Sequence, residues 1–193
     1  MKKLLLLFTL SHCCFLSAQD GFLDPTFGDN GIVNTCLTPA FANAGAIAIG
    51  SDNKIVVGGS IVHAMDDSDF CVVRYLSDGT PDPTFGTNGI VTTEFPSFST
   101  INDIATKSGK IIVAGSTIHN AQLTAVIAQY NSNGSLDDAF GTNGIALIPI
   151  PVTDDAGASK ITLLPKWQFT GDLFYSFYSF SRLALFGVCP ISS

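Results

Sequence analysis

One feature of this chain limits its possible folds more than any other: it repeats itself. Residues 23–33 read LDPTFGDNGIV, 81–91 read PDPTFGTNGIV and 136–146 read LDDAFGTNGIA. Phe27, Phe85 and Phe140 align, at separations of 58 and 55 residues. A second block keeps step, KIVVGGS at 54–60 and KIIVAGS at 110–116, and a third pairs CVVRYLSDG at 71–79 with VIAQYNSNG at 126–134. Three blocks that share one order and nearly one period mark tandem structural units. Such units stack to bury a face that none could bury alone.

Each unit divides into four short apolar runs. In the first they are Gly31–Thr38, Ala44–Ile49, Lys54–Ser60 and Phe70–Leu76; in the second, Gly89–Phe95, Ile101–Thr106, Lys110–Ser116 and Leu123–Tyr130. All are strand length and rich in Val and Ile. Ser51-Asp52-Asn53 and Lys107-Ser108-Gly109 are tight-turn residues that tolerate positive φ. They predict an antiparallel hairpin from the second and third runs. A polar stretch, Ile61 to Asp69, reads as a longer loop before the fourth run. Of the sixteen acidic residues only Glu94 is a glutamate, and Gly numbers 18 and Pro 9, a balance that favours turns over helix interiors. The expected fold is all-β: an incomplete β-propeller arc of about two and a half four-stranded blades. The blades fall at about 31–76 and 89–131, with a partial one at 144–164. A β-sandwich is the rival architecture, but it gives no reason for a recurring loop.

The motif LDPTFGDNG, the KIVVGG strand and the RYLSDG strand, occurring in that order, resemble the delta-60 repeat family over residues 21 to about 146. The resemblance implies a β-propeller repeat of the kind found in secreted and cell-surface proteins of bacteria. It brings no catalytic residues.

The loop motif has its own physics. Asp24 and Asp82 precede proline, which holds them extended, and Pro25 and Pro83 preset the following turn. Asp137 occupies the same place in the third loop. Phe27, Phe85 and Phe140 are the large apolar residues of an otherwise polar loop, each expected to fill the space between one blade and the next. Gly28, Gly86 and Gly141, with Gly31, Gly89 and Gly144, permit the left-handed backbone that the loop needs. These twelve residues read as a structural clasp, with no cofactor and no metal. The alternative is a calcium loop built on Asp24 and Asp29, but Asp29 becomes Thr87 and Thr142 in the later copies.

The formal net charge of −7 argues against nucleic acid as a partner, because phosphate binding needs clustered Lys and Arg. Lys2 and Lys3, the apolar run Leu4 to Leu10 and the small pair Ser17-Ala18 have the layout of a secretory signal peptide. Cleavage is expected after Ala18. No other stretch is apolar enough to span a membrane as a helix. The repeats then occupy 19–164, and an aromatic-rich segment, 165–193, leaves the repeat pattern, as a truncation or a shifted reading frame would make it do. Cys36, Cys71 and Cys189 form no disulfide framework; a Cys36–Cys71 bridge is left open. His63 and His119 match by repetition and read as loop residues, and Asp66, Asp67 and Asp69 as a solvated loop tip. The chain is therefore expected to be a secreted, non-catalytic scaffold or binding surface, its partners being other protein copies, a cell-surface protein or a glycan. The alternatives are an extracellular polysaccharide-active enzyme, using the acidic residues and the aromatic tail, and a calcium-stabilised adhesion module.

Overall fold

The computed structural model describes residues 21–37, 41–148, 156–163, 172–179 and 185–190. The signal segment and its cleavage site lie outside the described residues. Among the described residues all regular structure is β: β1 (Phe41–Ile49), β2 (Ile55–Ala64), β3 (Asp67–Tyr75), β4 (Ile90–Thr93), β5 (Ser99–Lys107), β6 (Lys110–His119), β7 (Gln122–Tyr130), β8 (Ile145–Ile148), β9 (Ala156–Leu163), β10 (Asp172–Ser179) and β11 (Leu185–Pro190). They form antiparallel sheets in the orders β1-β2-β3-β4, β5-β6-β7-β8 and β9-β10-β11. The all-β architecture of four-stranded blades in an open arc is what the repeat predicts.

The expected hairpins form where the turn residues place them. At the β1–β2 turn Asn53 takes φ +60°, and at the β5–β6 turn Ser108 and Gly109 take +51° and +77°. Ile49 then opposes Ile55, and Lys107 opposes Lys110.

The phase of the blades differs from the expectation. The sheets run 41–93 and 99–148, not 31–76 and 89–131. The run after each Phe-Gly loop pairs backward: Ile90 opposes Val73 on β3, and Ile145 opposes Ala128 on β7. Every four-stranded sheet therefore takes its last strand from the following repeat. By the same rule the segment 31–37 is no member of the first sheet. It lies across that sheet's outer face, where Thr35 Oγ1 and Tyr75 Oη share a 2.6 Å hydrogen bond.

A second correction concerns 61–69. It is not a loop but the two ends of the β2–β3 hairpin, turning at Met65-Asp66. The ladder simply extends through residues whose polarity alone suggested a loop. His63 and His119 thus sit on β2 and β6. Asp69 is buried on β3, where it accepts from the Phe95 amide at 2.9 Å and meets His63 Nε2 at 3.1 Å. Only Asp66 and Asp67 of the acidic cluster are exposed.

Two apolar layers hold the three sheets together. Val56, Phe70 and Val72 of the first sheet interlock with Ile101, Ile104, Ile111, Val113 and Val126 of the second. Ile112, Ala114, Ala125 and Ile127, on the opposite face of that second sheet, pack on Ala158 and Ile161 of β9. Strand alternation makes this possible, since Ile111 and Ile112 point to opposite faces, and both faces of the middle sheet are covered. Each fully buried Ile or Phe contributes about 1.5–3 kcal/mol. β1 touches β5, and β5 touches β9, so the first strands gather along one edge of the arc.

Candidate functional site

The Phe-Gly loops are the distinctive chemistry of the chain, and the structure places the second and third of them between two units. Phe85 and Phe140 are fully buried. Phe85 lies in the layer between the first and second sheets, and Phe140 in the layer between the second and third. Phe27 is half-buried. The loop backbone repeats closely: φ is +57°, +52° and +55° at Gly28, Gly86 and Gly141, and +90°, +85° and +85° at Gly31, Gly89 and Gly144. Asn30, Asn88 and Asn143 are also left-handed, near +50°. Asparagine is one of the few side chains that adopt this conformation readily.

The first two loops are hydrogen-bonded forward. The Gly28 amide donates to the Asp78 carbonyl at 2.8 Å, and the Gly86 amide donates to the Asn133 carbonyl at 2.9 Å. The receiving turns carry Gly79 and Gly134, where an added Cβ would stand 3.1 Å from Phe27 Cε2 and Phe85 Cε2 respectively. A bare glycine is what lets the ring and the Val33 or Val91 methyl come so close to the turn.

The loop aspartate is tied to strands, a feature that sequence reasoning missed. Asp82 is buried, and its Oδ2 accepts from Arg74 Nε at 2.7 Å and Lys54 Nζ at 2.8 Å. Its Oδ1 accepts from the Thr84 amide and hydroxyl at 2.9 and 2.7 Å. Arg74 reaches on to the Ser132 carbonyl in the next unit at 2.6 Å and covers the Phe85 ring at 4.5 Å from its centroid. Burial by itself would raise the Asp82 carboxyl. The hydrogen bonds from Lys54 and Thr84, with the Arg74 charge, outweigh it and hold the group well below the usual carboxylate range.

The second loop repeats the node with one change. Asp137 Oδ2 accepts from Lys110 Nζ at 2.8 Å and from Gln129 Nε2, which replaces the arginine. Those two bonds lower its carboxyl. Asp24 has neither partner; it is exposed and bonded to Thr26, which lowers its carboxyl too. The legible signal was the recurrence of Lys54 as Lys110 at the foot of β2 and β6, and of Arg74 as Gln129 one residue before the ends of β3 and β7.

These bonds bear directly on calcium. The Asp82 and Asp137 carboxylates already hold ammonium or guanidinium groups at bonding distance, where a cation would be repelled. Among the described residues no three His, Cys, Asp or Glu side chains converge on a common point. Cys36 is exposed and Cys71 buried, both as free thiols, and burial pushes the Cys71 thiol up to about 11.

Beside the node a cleft opens between the first two sheets. Its walls are the β1–β2 turn with Asp52 and Lys54, the β5–β6 turn with Lys107 and Lys110, and Arg74 between them. Four of the five Lys and Arg side chains among the described residues line this one place.

Among the described residues no helix is long and apolar enough to cross a membrane. No curated protein matches the chain. Residues 50–85 and 106–140 match a family described as a β-propeller domain of unknown function (DUF5122). Each matched span runs from the hairpin turn at the cleft to the Phe-Gly loop that closes the same unit, so over both units the chain is similar to a β-propeller repeat family.

Proposed function

We propose that the chain is a secreted, non-catalytic repeat scaffold of the delta-60 type, whose inter-blade cleft is its binding surface. The observation that carries this reading is the Lys54–Asp82–Arg74 node. Its charges are consumed in tying the loop to its own sheet, and Arg74 bonds on to Ser132 of the next unit, which is structural work. Secretion rests on the charged and apolar layout of residues 1–18.

The cleft favours an acidic partner. Lys54, Arg74 and Lys110 are already paired with Asp82 and Asp137, so the group that the cleft offers an anion is the Lys107 ammonium at its mouth. Carboxylated or sulfated glycan is the extracellular class with that chemistry.

The full chain, expressed in a secretion-competent bacterial host, tests this directly. Mass spectrometry of the medium is expected to find a product beginning at Gln19. On a glycan array that product is expected to retain uronate or sulfated glycans, to lose them in Lys107→Glu, and to release no new reducing ends. Uncleaved protein held in the cytoplasm overturns secretion. Equal retention of neutral glycans overturns the cleft. Reducing ends that vanish in the Asp66→Ala/Asp67→Ala variant establish the enzyme instead.

A further inference from the structure

The two ends of the arc are complementary. The middle sheet shows what a covered face looks like: Ile104 on β5 is 6 % exposed and Val113 on β6 is 0 % exposed, because the first sheet lies on them. The same repeat positions on the first sheet are Ile47 and Val57, which face each other across β1 and β2 on the outer side. Ile47 is 68 % exposed and its neighbour Ile49 67 %. Identical positions differ only in having a neighbour.

The segment 31–37 says what that neighbour is. In the second repeat, Thr93 at the end of β4 bonds Tyr130 Oη at 2.7 Å; in the first, Thr35 bonds Tyr75 Oη at 2.6 Å. The loop ahead of each donates to the following turn in the same way, from Gly86 and from Gly28. Residues 32–35 therefore lie on the first sheet as β4 lies on the second. They occupy the place of the last strand of a preceding sheet, and among the described residues they have no such sheet to join. At the far end, β9-β10-β11 is a three-stranded sheet, and among the described residues β11 has no partner on its outer edge. Among the described residues one end has a fourth strand without a sheet, and the other a sheet without a fourth strand.

We infer that two copies of this chain close head to tail, residues 32–35 of each copy pairing antiparallel with β11 of the other, and the β9-β10-β11 sheet of each covering Ile47 and Ile49 of the other. Two arcs of three sheets make six, within the roughly four to eight blades of closed propellers. A head-to-tail contact that closes after two copies forms a ring and not a fibre.

Light scattering on the full chain during size-exclusion chromatography tests this. The expected mass is that of two copies, unchanged on tenfold concentration. Ile47→Asp/Ile49→Asp is expected to elute as single copies. Both side chains are exposed in one copy, so its circular dichroism should match the parent's. Met65→Asp, at the fully exposed β2–β3 turn, should stay paired. Hydrogen exchange gives a second measure: the amides of 32–35 and of β11 are protected in the pair and lose protection together in Ile47→Asp/Ile49→Asp. A single-copy mass for the parent, a two-copy mass that survives Ile47→Asp/Ile49→Asp, or a mass that keeps growing with concentration overturns the inference.

Discussion

One oxygen of Asp82 carries two cations, and that arrangement sets how the fold answers to mutation and to acid. Asp82→Ala strands the buried Arg74 guanidinium without its counter-charge, a loss of about 3–5 kcal/mol. Urea denaturation at neutral pH measures it. Asp137→Ala is expected to cost less, because its partner Gln129 is neutral and Lys110 is more than a third exposed. The pH dependence follows from the lowered carboxyl of Asp82. The unfolded chain takes up the proton first, so the stability contributed by the node is complete above about pH 4 and declines below it. Denaturation midpoints between pH 7 and pH 3 should show this fall in the parent and a shallower one in Asp82→Asn. Gly86→Ala is expected to cost more than about 1 kcal/mol by the same assay, since φ is +52° and the new methyl would collide with the Ile90 carbonyl.

Between elements, the recurring hydroxyl bridge is the most informative contact. Tyr130→Phe leaves the buried Thr93 hydroxyl without its partner and should cost about 1–3 kcal/mol; Tyr75→Phe, at the half-buried copy, should cost less than half as much. Burial pushes the Tyr130 hydroxyl up to about 12, against the opposing bond from Thr93. An ultraviolet alkaline titration should therefore find one tyrosine ionising late, and Tyr130→Phe should remove that phase. The strands and hairpins were legible because Val, Ile and turn residues recur in step. Pairing direction was not, because a strand such as Ile90–Thr93 has equal sequence grounds to pair with β3 behind it or β5 ahead. The node was hidden for a related reason. A lone Lys54 or Arg74 on a strand reads as a solvated charge until the loop folds back over it.

Across the whole molecule, coverage is graded. The middle sheet is packed on both faces, while β1 presents Phe41, Ile47 and Ile49 outward. In repeat architectures stability is close to a sum of unit and neighbour terms. Native-state hydrogen exchange on single copies of Ile47→Asp/Ile49→Asp should accordingly be slowest in β6 and β7 and fastest in β1. Equal protection across the two four-stranded sheets would contradict the grading.

The offset between repeat and sheet has a genetic consequence. Each sheet is sewn to the next by a strand that belongs to its successor in the sequence. Duplicating or deleting one whole period therefore leaves every interior sheet with its full complement, wherever in the period the break falls. Such a gene can lengthen or shorten its product by whole blades without inventing a new junction.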